Sequence, residues 1–232
     1  MRKLSLLFLS LIFISTAYGQ KTEFSAHLNS GLFSFGGESA TKSSIIIAND
    51  AGSNYTINPY GTQKTFSYGF SVQLQRITTF KLLFGIQTGY ELLRSNVNID
   101  DVAGEFINNP TSATGQTTFR NGFITVYPSI GRRFIFSDLN IDLTIGPELG
   151  LNVISKEKGE ATTNNDIFIK KDREINPGNT DFRLRSSLTV YYKYWGISTS
   201  YSHGLRNYSS NLIVGNRERF SRFFRIGITY RI

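Results

Sequence analysis

Eight runs of strict two-residue alternation predict an all-β fold: an eight-stranded antiparallel up-and-down transmembrane β-barrel. Two further observations point the same way. The connections between runs are alternately short and long, and the wet face of each run carries Gly, Ser, Thr, Asn and Gln with few charges. The clearest run is LNIDLTIGPELGLNV, Leu139 to Val153, in which every odd position is apolar or proline and every even one is polar or glycine.

The first strand sets Phe24, Ala26, Leu28, Ser30 and Leu32 against Ser25, His27, Asn29, Gly31 and Phe33. The second sets Phe66, Tyr68, Phe70, Val72 and Leu74 against Ser67, Gly69, Ser71, Gln73 and Gln75, and the third runs from Leu82 to Leu93 with Phe84, Ile86, Tyr90 and Leu92 on its oily face. The fourth places Ile124, Val126, Pro128 and Ile130 opposite Thr125, Tyr127, Ser129 and Gly131. Its phase is ambiguous, because Phe123 and Tyr127 suit the oily face as well. The fifth is the stretch quoted above. The sixth, 181–192, alternates Phe182, Leu184, Leu188 and Val190 with Asp181, Arg183, Arg185 and Thr189. The seventh carries Trp195, Ile197, Thr199 and Tyr201, and the eighth Phe224, Ile226, Ile228, Tyr230 and Ile232. Most of these runs match the roughly 9–11 residues that a tilted membrane strand requires.

Short links at 76–79, 136–138 and 193–194 join strands two to three, four to five and six to seven, while 36–64, 95–118, 154–179 and 203–219 read as long loops. In an up-and-down barrel this puts both termini and the tight turns at one end and four extracellular loops at the other. Small polar residues suit the narrow bore of eight strands, which side chains fill. The oily face therefore turns to lipid. Two aromatic girdles are expected: Phe80, Phe134, Phe136, Tyr194, Trp195 and Tyr230 near the short turns, and Phe33, Phe66, Tyr68, Tyr90, Tyr201 and Phe220 toward the loops. Backbone groups in hydrocarbon find no water, so the sheet has to close on itself.

Composition and the first residues give the address. MRKLSLLFLSLIFISTAYGQ has a basic start, an apolar core from Leu4 to Ile14 and the small residues Ala17 and Gly19 before Gln20, the pattern of a signal peptide cleaved after residue 19. Residues 20–232 are then one outer-membrane barrel domain, exported to the cell outer membrane of a Gram-negative bacterium. The 25 basic residues, less Arg2 and Lys3, leave 23 against 17 acidic ones, scattered singly; no nucleic acid is expected as a partner. Cysteine is absent from the sequence and only His27 and His203 supply imidazole, so no metal or cofactor is expected.

The signal ending Ala17-Tyr-Gly-Gln20, the GPELGLNV strand at 146–153, YPSIGRRF at 127–134 and the closing FRIGITYRI resemble the outer-membrane β-barrel families of Bacteroidota, akin to OmpA/OmpX-type eight-stranded barrels. In such proteins the last strand ends in an aromatic residue, preceded two positions earlier by tyrosine. Tyr230 fits, while Ile232 departs from the pattern. On size and topology the PorT-like proteins of that phylum are also similar, which would imply a component assisting protein secretion or envelope assembly.

On the wet face, Glu91, Asp142, Glu148 and Asp181 share the bore with Arg133, Arg183, Arg185, Lys193, Arg225 and Arg231. They form either a charged conduit or a salt-bridge plug; buried charges must be paired and the bore is narrow, which favours the plug. His203 beside Ser202, with Asp166, Asp172 and Glu174 in the third loop, is the one constellation for an outer-membrane enzyme. A rim histidine more commonly serves a hydrogen-bonding role, and no enzyme activity is expected. Ile45-Ile46-Ile47 and Ile167-Phe168-Ile169 are apolar triplets in polar loops, read either as contacts for a protein or surface partner or as strand extensions prolonging the barrel. The expected function is that of a monomeric, non-enzymatic membrane module whose partners are the lipid bilayer and whatever its loops bind, with a narrow channel as an alternative.

Overall fold

The computed structural model describes residues 20–48, 54–104, 110–175, 180–208 and 218–232. The expected signal peptide lies outside them. Among the described residues there are eleven strands: β1 (Lys21–Gly36), β2 (Ser43–Ala48), β3 (Tyr55–Thr56), β4 (Gln63–Ile77), β5 (Leu82–Gly104), β6 (Thr111–Phe136), β7 (Leu139–Thr163), β8 (Phe168–Ile175), β9 (Asp181–Tyr192), β10 (Trp195–Gly204) and β11 (Phe220–Arg231).

Eight of them close a ring in the order β1, β4, β5, β6, β7, β9, β10, β11, each antiparallel to its neighbours. The ring shuts where β1 meets β11, with Ala26 opposite Tyr230 and Phe33 opposite Phe223. This is a transmembrane β-barrel. Its outer wall carries Leu28, Phe70, Ile86, Leu143, Ile145, Ile197 and Ile228, all exposed, and its inner wall is polar. From Leu82 to Leu92 on β5 the belt spans ten residue steps, which at the rise and tilt of barrel strands is roughly 25 Å, the height of an apolar membrane band. The tight turns bend through left-handed residues, Lys81, Ser137 and Lys193. Lys193 therefore lies exposed in a turn and not in the bore, because it falls between paired Tyr192 and Trp195.

The fourth-strand phase resolves with Ile124, Pro128 and Ile130 outside and Phe123 and Tyr127 inside. Phe33 is a second correction: it is buried in the bore rather than part of a girdle, as its odd position on β1 dictates.

Two of the regions read as loops are largely strand. β5 and β6 stay paired from Leu82–Arg132 up to Val102–Thr111, and β7 runs on to Thr163 and turns back as β8. Asn, Ser, Gly and Thr mask this in the sequence, yet Val97, Ile99, Ala113, Thr117, Glu157 and Ala161 keep an inward face. A bulge, where Gly122 pairs Ile154 and Phe123 pairs Asn152, inserts an extra residue into β7 and swaps the side each later residue faces. Ser155 and Glu157 point inward because of it. In the first loop, β2 runs parallel to β5, the one parallel pair among the described strands, and β3 pairs β2.

Candidate functional site

The bore is closed in stages. Nearest the short turns, Arg133 of β6 reaches across the barrel. Its Nε and Nη2 donate to Asp142 at 2.6 and 2.7 Å, and Nη1 and Nη2 to Glu23 of β1 at 3.0 and 2.8 Å. Arg231 reaches the same Glu23 at 3.4 Å and lies over the Tyr191 ring, and Gln75 donates to Asp142. Two guanidiniums thus face two carboxylates.

Above this layer comes an amide and hydroxyl stratum. Gln73 donates to Gln75, Gln87 contacts Ser71, and Ser25 bonds His27. The cavity left here, lined by His27, Gln87, Tyr127, Thr144 and Arg185, is about 10 Å³, space for about one water molecule.

The third layer holds most of the predicted network. Arg225 grips Glu91 through Nε and Nη2 at 2.7 and 2.9 Å, donates to both oxygens of Glu148 at 2.9 and 3.1 Å, and to Ser202 Oγ at 2.6 Å. Arg183 donates to Glu148 at 2.9 Å and to Asp181 at 2.5 Å, and Arg185 to Glu148 at 3.2 Å. Three guanidiniums meet three carboxylates, all buried. Such an array is stable in a dry bore only because each charge is compensated within reach. Aromatic faces add to this: Arg183 lies over Phe123, Arg185 over Tyr127 and Arg225 over Phe223.

Of the predicted charges, Glu91, Glu148, Arg183, Arg185 and Arg225 come together in this upper layer. Asp142 and Arg231 sit in the lower one. Glu23 was missed, although extending the first strand's alternation by one residue would have placed it in the bore.

Above the ions an aromatic stopper closes the barrel: Phe33, Phe35, Leu93, Phe119, Phe123 and Phe223, with Tyr60 and Tyr208 packed against them. Phe35 meets Tyr60 edge-on at 5.0 Å between ring centres. Higher still, Ile46, Val97, Ile99, Val102, Ala113 and Ala161 form a second core inside the extended wall, beside Lys171, which contacts Glu157 and donates to Thr56 Oγ1 at 2.7 Å. Phe33, Leu93 and Phe123 fall in or beside the alternating runs, whereas Phe35, Tyr60, Phe119 and the second-core residues lie outside those runs, mostly in stretches read as loops.

The apolar triplets separate. Ile45, Ile46 and Ile47 lie in β2, and Ile46 is wholly buried; Ile45 and Ile47 are half-buried. Ile169 is half-buried against the second core, whereas Ile167 and Phe168 stand exposed at the tip of the β7–β8 hairpin, more than half of each accessible. Ser202 and His203 face opposite sides of the wall: Ser202 bonds inside the bore, while His203 lies outside beside Tyr201 and Phe220. Glu174 and Asp172 pair with Lys156 and Lys158 at 2.5 and 2.9 Å, far from forming a site with His203.

No family model matches the sequence, and no curated protein does. Among solved structures the chain is similar to Ail, the attachment invasion locus protein of Yersinia pestis, in complex with the heparin analogue sucrose octasulfate. The two are 11% identical over 91% of this chain and 99% of that one, with a TM-score of 0.36. Neisserial surface protein A is 8% identical over 89% and 96% of the two chains, TM-score 0.36. A major outer membrane protein from Thermus thermophilus is 12% identical over 91% and 99%, TM-score 0.36. The assignment of this chain to the eight-stranded transmembrane barrels rests on its own closed ring and apolar belt.

Proposed function

We propose that this protein is a monomeric, non-enzymatic module of a Gram-negative outer membrane, exported through the signal peptide at 1–19, with its long extensions outside the cell engaging a protein or surface partner. The quoted stretches that resemble Bacteroidota barrels support that phylum as its source. One observation carries the reading: the bore is filled from Glu23 to Phe119 by compensated charges and packed rings, leaving the outer extensions as the surface through which it can act. Separation of Ser202 from His203 supports a role without catalysis.

Within the extensions, the exposed hairpin tip at Ile167 and Phe168 is the contact we assign, ahead of Ile46, which packs inward. Planar-bilayer recordings of the purified mature chain, with affinity capture from detergent-solubilised envelope, test both halves. The expected outcome is no ohmic conductance, and a partner retained by the wild type but lost from I167S/F168S. Steady conductance would make the protein a channel, and capture indifferent to the double substitution would move the contact elsewhere. Capture of envelope-assembly components would specify a PorT-like role.

A further inference from the structure

Directly above the lipid-facing belt, on the outer face of the wall, the barrel carries an arc of cations. Arg94 of β5 stands opposite Arg120 of β6, Arg120 opposite Lys156 of β7, and Lys156 opposite Glu174 of β8. Past an irregularity in the β4–β5 register, Lys64 stands exposed on β4, facing the same groove as Arg222 of β11, which pairs Ser34 of β1. Lys64, Arg94, Arg120 and Arg222 keep the parity of the oily face on their strands, and the β7 bulge turns Lys156 to the same side: Phe66 and Tyr68 lie under Lys64, Leu92 under Arg94, Ile124 under Arg120 and Phe224 under Arg222.

Like charges directly opposite on adjacent strands repel. Here the repulsion is poorly compensated. Among the described residues the carboxylate in the row is Glu174, bound to Lys156 at 2.5 Å. The Nε atoms of Arg94 and Arg120 are shielded and hold no hydrogen bond, and the Arg94 guanidinium rests over the Tyr68 ring at 5.3 Å. Between β11 and β4, a groove of about 630 Å³ joins apolar Leu32, Tyr201 and Phe224 to the cations Lys64 and Arg222. An acyl chain fits the lower part of such a groove and an anion the upper.

We propose that this arc, Lys64, Arg94, Arg120, Lys156 and Arg222, binds the phosphate groups of anionic lipids in the leaflet next to the long extensions. Planar guanidiniums suit phosphate oxygens, and the site lies at the edge of hydrocarbon, where a lipid headgroup is the anion already held at that depth. The inference rests on the membrane-embedded fold and not on any partner of the hairpin tip.

The full chain is reconstituted in phosphatidylcholine bilayers with a trace of spin-labelled phosphatidic acid or spin-labelled phosphatidylcholine, and electron spin resonance gives the relative association of each lipid with the protein. The wild type is expected to favour phosphatidic acid by about fivefold or more, the weight of a single cation at a charged membrane surface. The preference should fall towards one in 1 M sodium chloride and in R94Q/R120Q, whose folding is checked by heat-modifiable gel mobility. Arg76 and Arg132 at the short-turn rim stand on β4 and β6 with β5 between them, so R76Q/R132Q should keep most of the preference. Equal association of both lipids with the wild type overturns the proposal irrespective of how the variants fold. So does a preference that survives R94Q/R120Q, or one that R76Q/R132Q abolishes.

Discussion

Glu148 shows how much one side chain holds. Three arginines, Arg183, Arg185 and Arg225, donate to its two oxygens in a region closed to water. Glu148→Ala leaves Arg185 without an acidic partner and removes one shared by the other two, a change of the class that costs about 3–5 kcal/mol. Guanidinium titration of the refolded protein in micelles should show a clearly lower midpoint, with Glu148→Gln between the variant and the wild type. Alternation put Glu148, Arg183 and Arg225 on the wet face of their strands in advance. It could not choose their partners: Arg225 meets Glu91, 134 residues away, because of strand register and barrel stagger, and those follow from closing the whole ring. Phe123 and Tyr127 were ambiguous for a related reason. Their rings face inward to cover guanidiniums that only the neighbouring strands supply.

At the level of elements, the wall continues past the membrane because each upper strand partners another. Asn96 to Asp100 read as a loop by residue type, and become strand when β6 lines one edge of β5 and β4, then β2, the other. Ile46 anchors that arrangement. Ile46→Ala is expected to cost about 2–4 kcal/mol of local stability. Amide exchange should accelerate in β2 and in β5 above Asn96, while β1 and β9–β11 keep their protection. The β7–β8 hairpin responds instead to pH. The Lys158 ammonium bonded to Asp172 holds its carboxyl below the usual carboxylate range, so this contribution is present above that range and is lost as pH falls through the lowered value. Protection factors of β8 amides, taken relative to intrinsic exchange at each pH, should accordingly fall on acidification, with those of the lower barrel unchanged.

For the whole molecule, redundancy is the governing property. Two ion layers and an aromatic stopper lie in series, so losing one leaves the others shut. Bilayers containing Glu148→Ala should remain as non-conducting as those with the wild type, although the variant is less stable. The general architecture was legible because two physical rules, alternation and closure, act on every strand and are written residue by residue. The stopper was not, since Phe35, Tyr60, Phe119 and Tyr208 converge from four segments whose meeting depends on the finished ring.

That ring also sets an order of events. The seam joins β1 to β11, from Ser25–Arg231 to Gly36–Phe220, so one edge of each is satisfied only when two strands far apart in the sequence meet. Until the seam forms, the facing edges of β1 and β11 carry bare donors and acceptors with a greasy flank, the profile of an aggregating edge. Closing the seam is therefore the step that removes the last edge another chain could join.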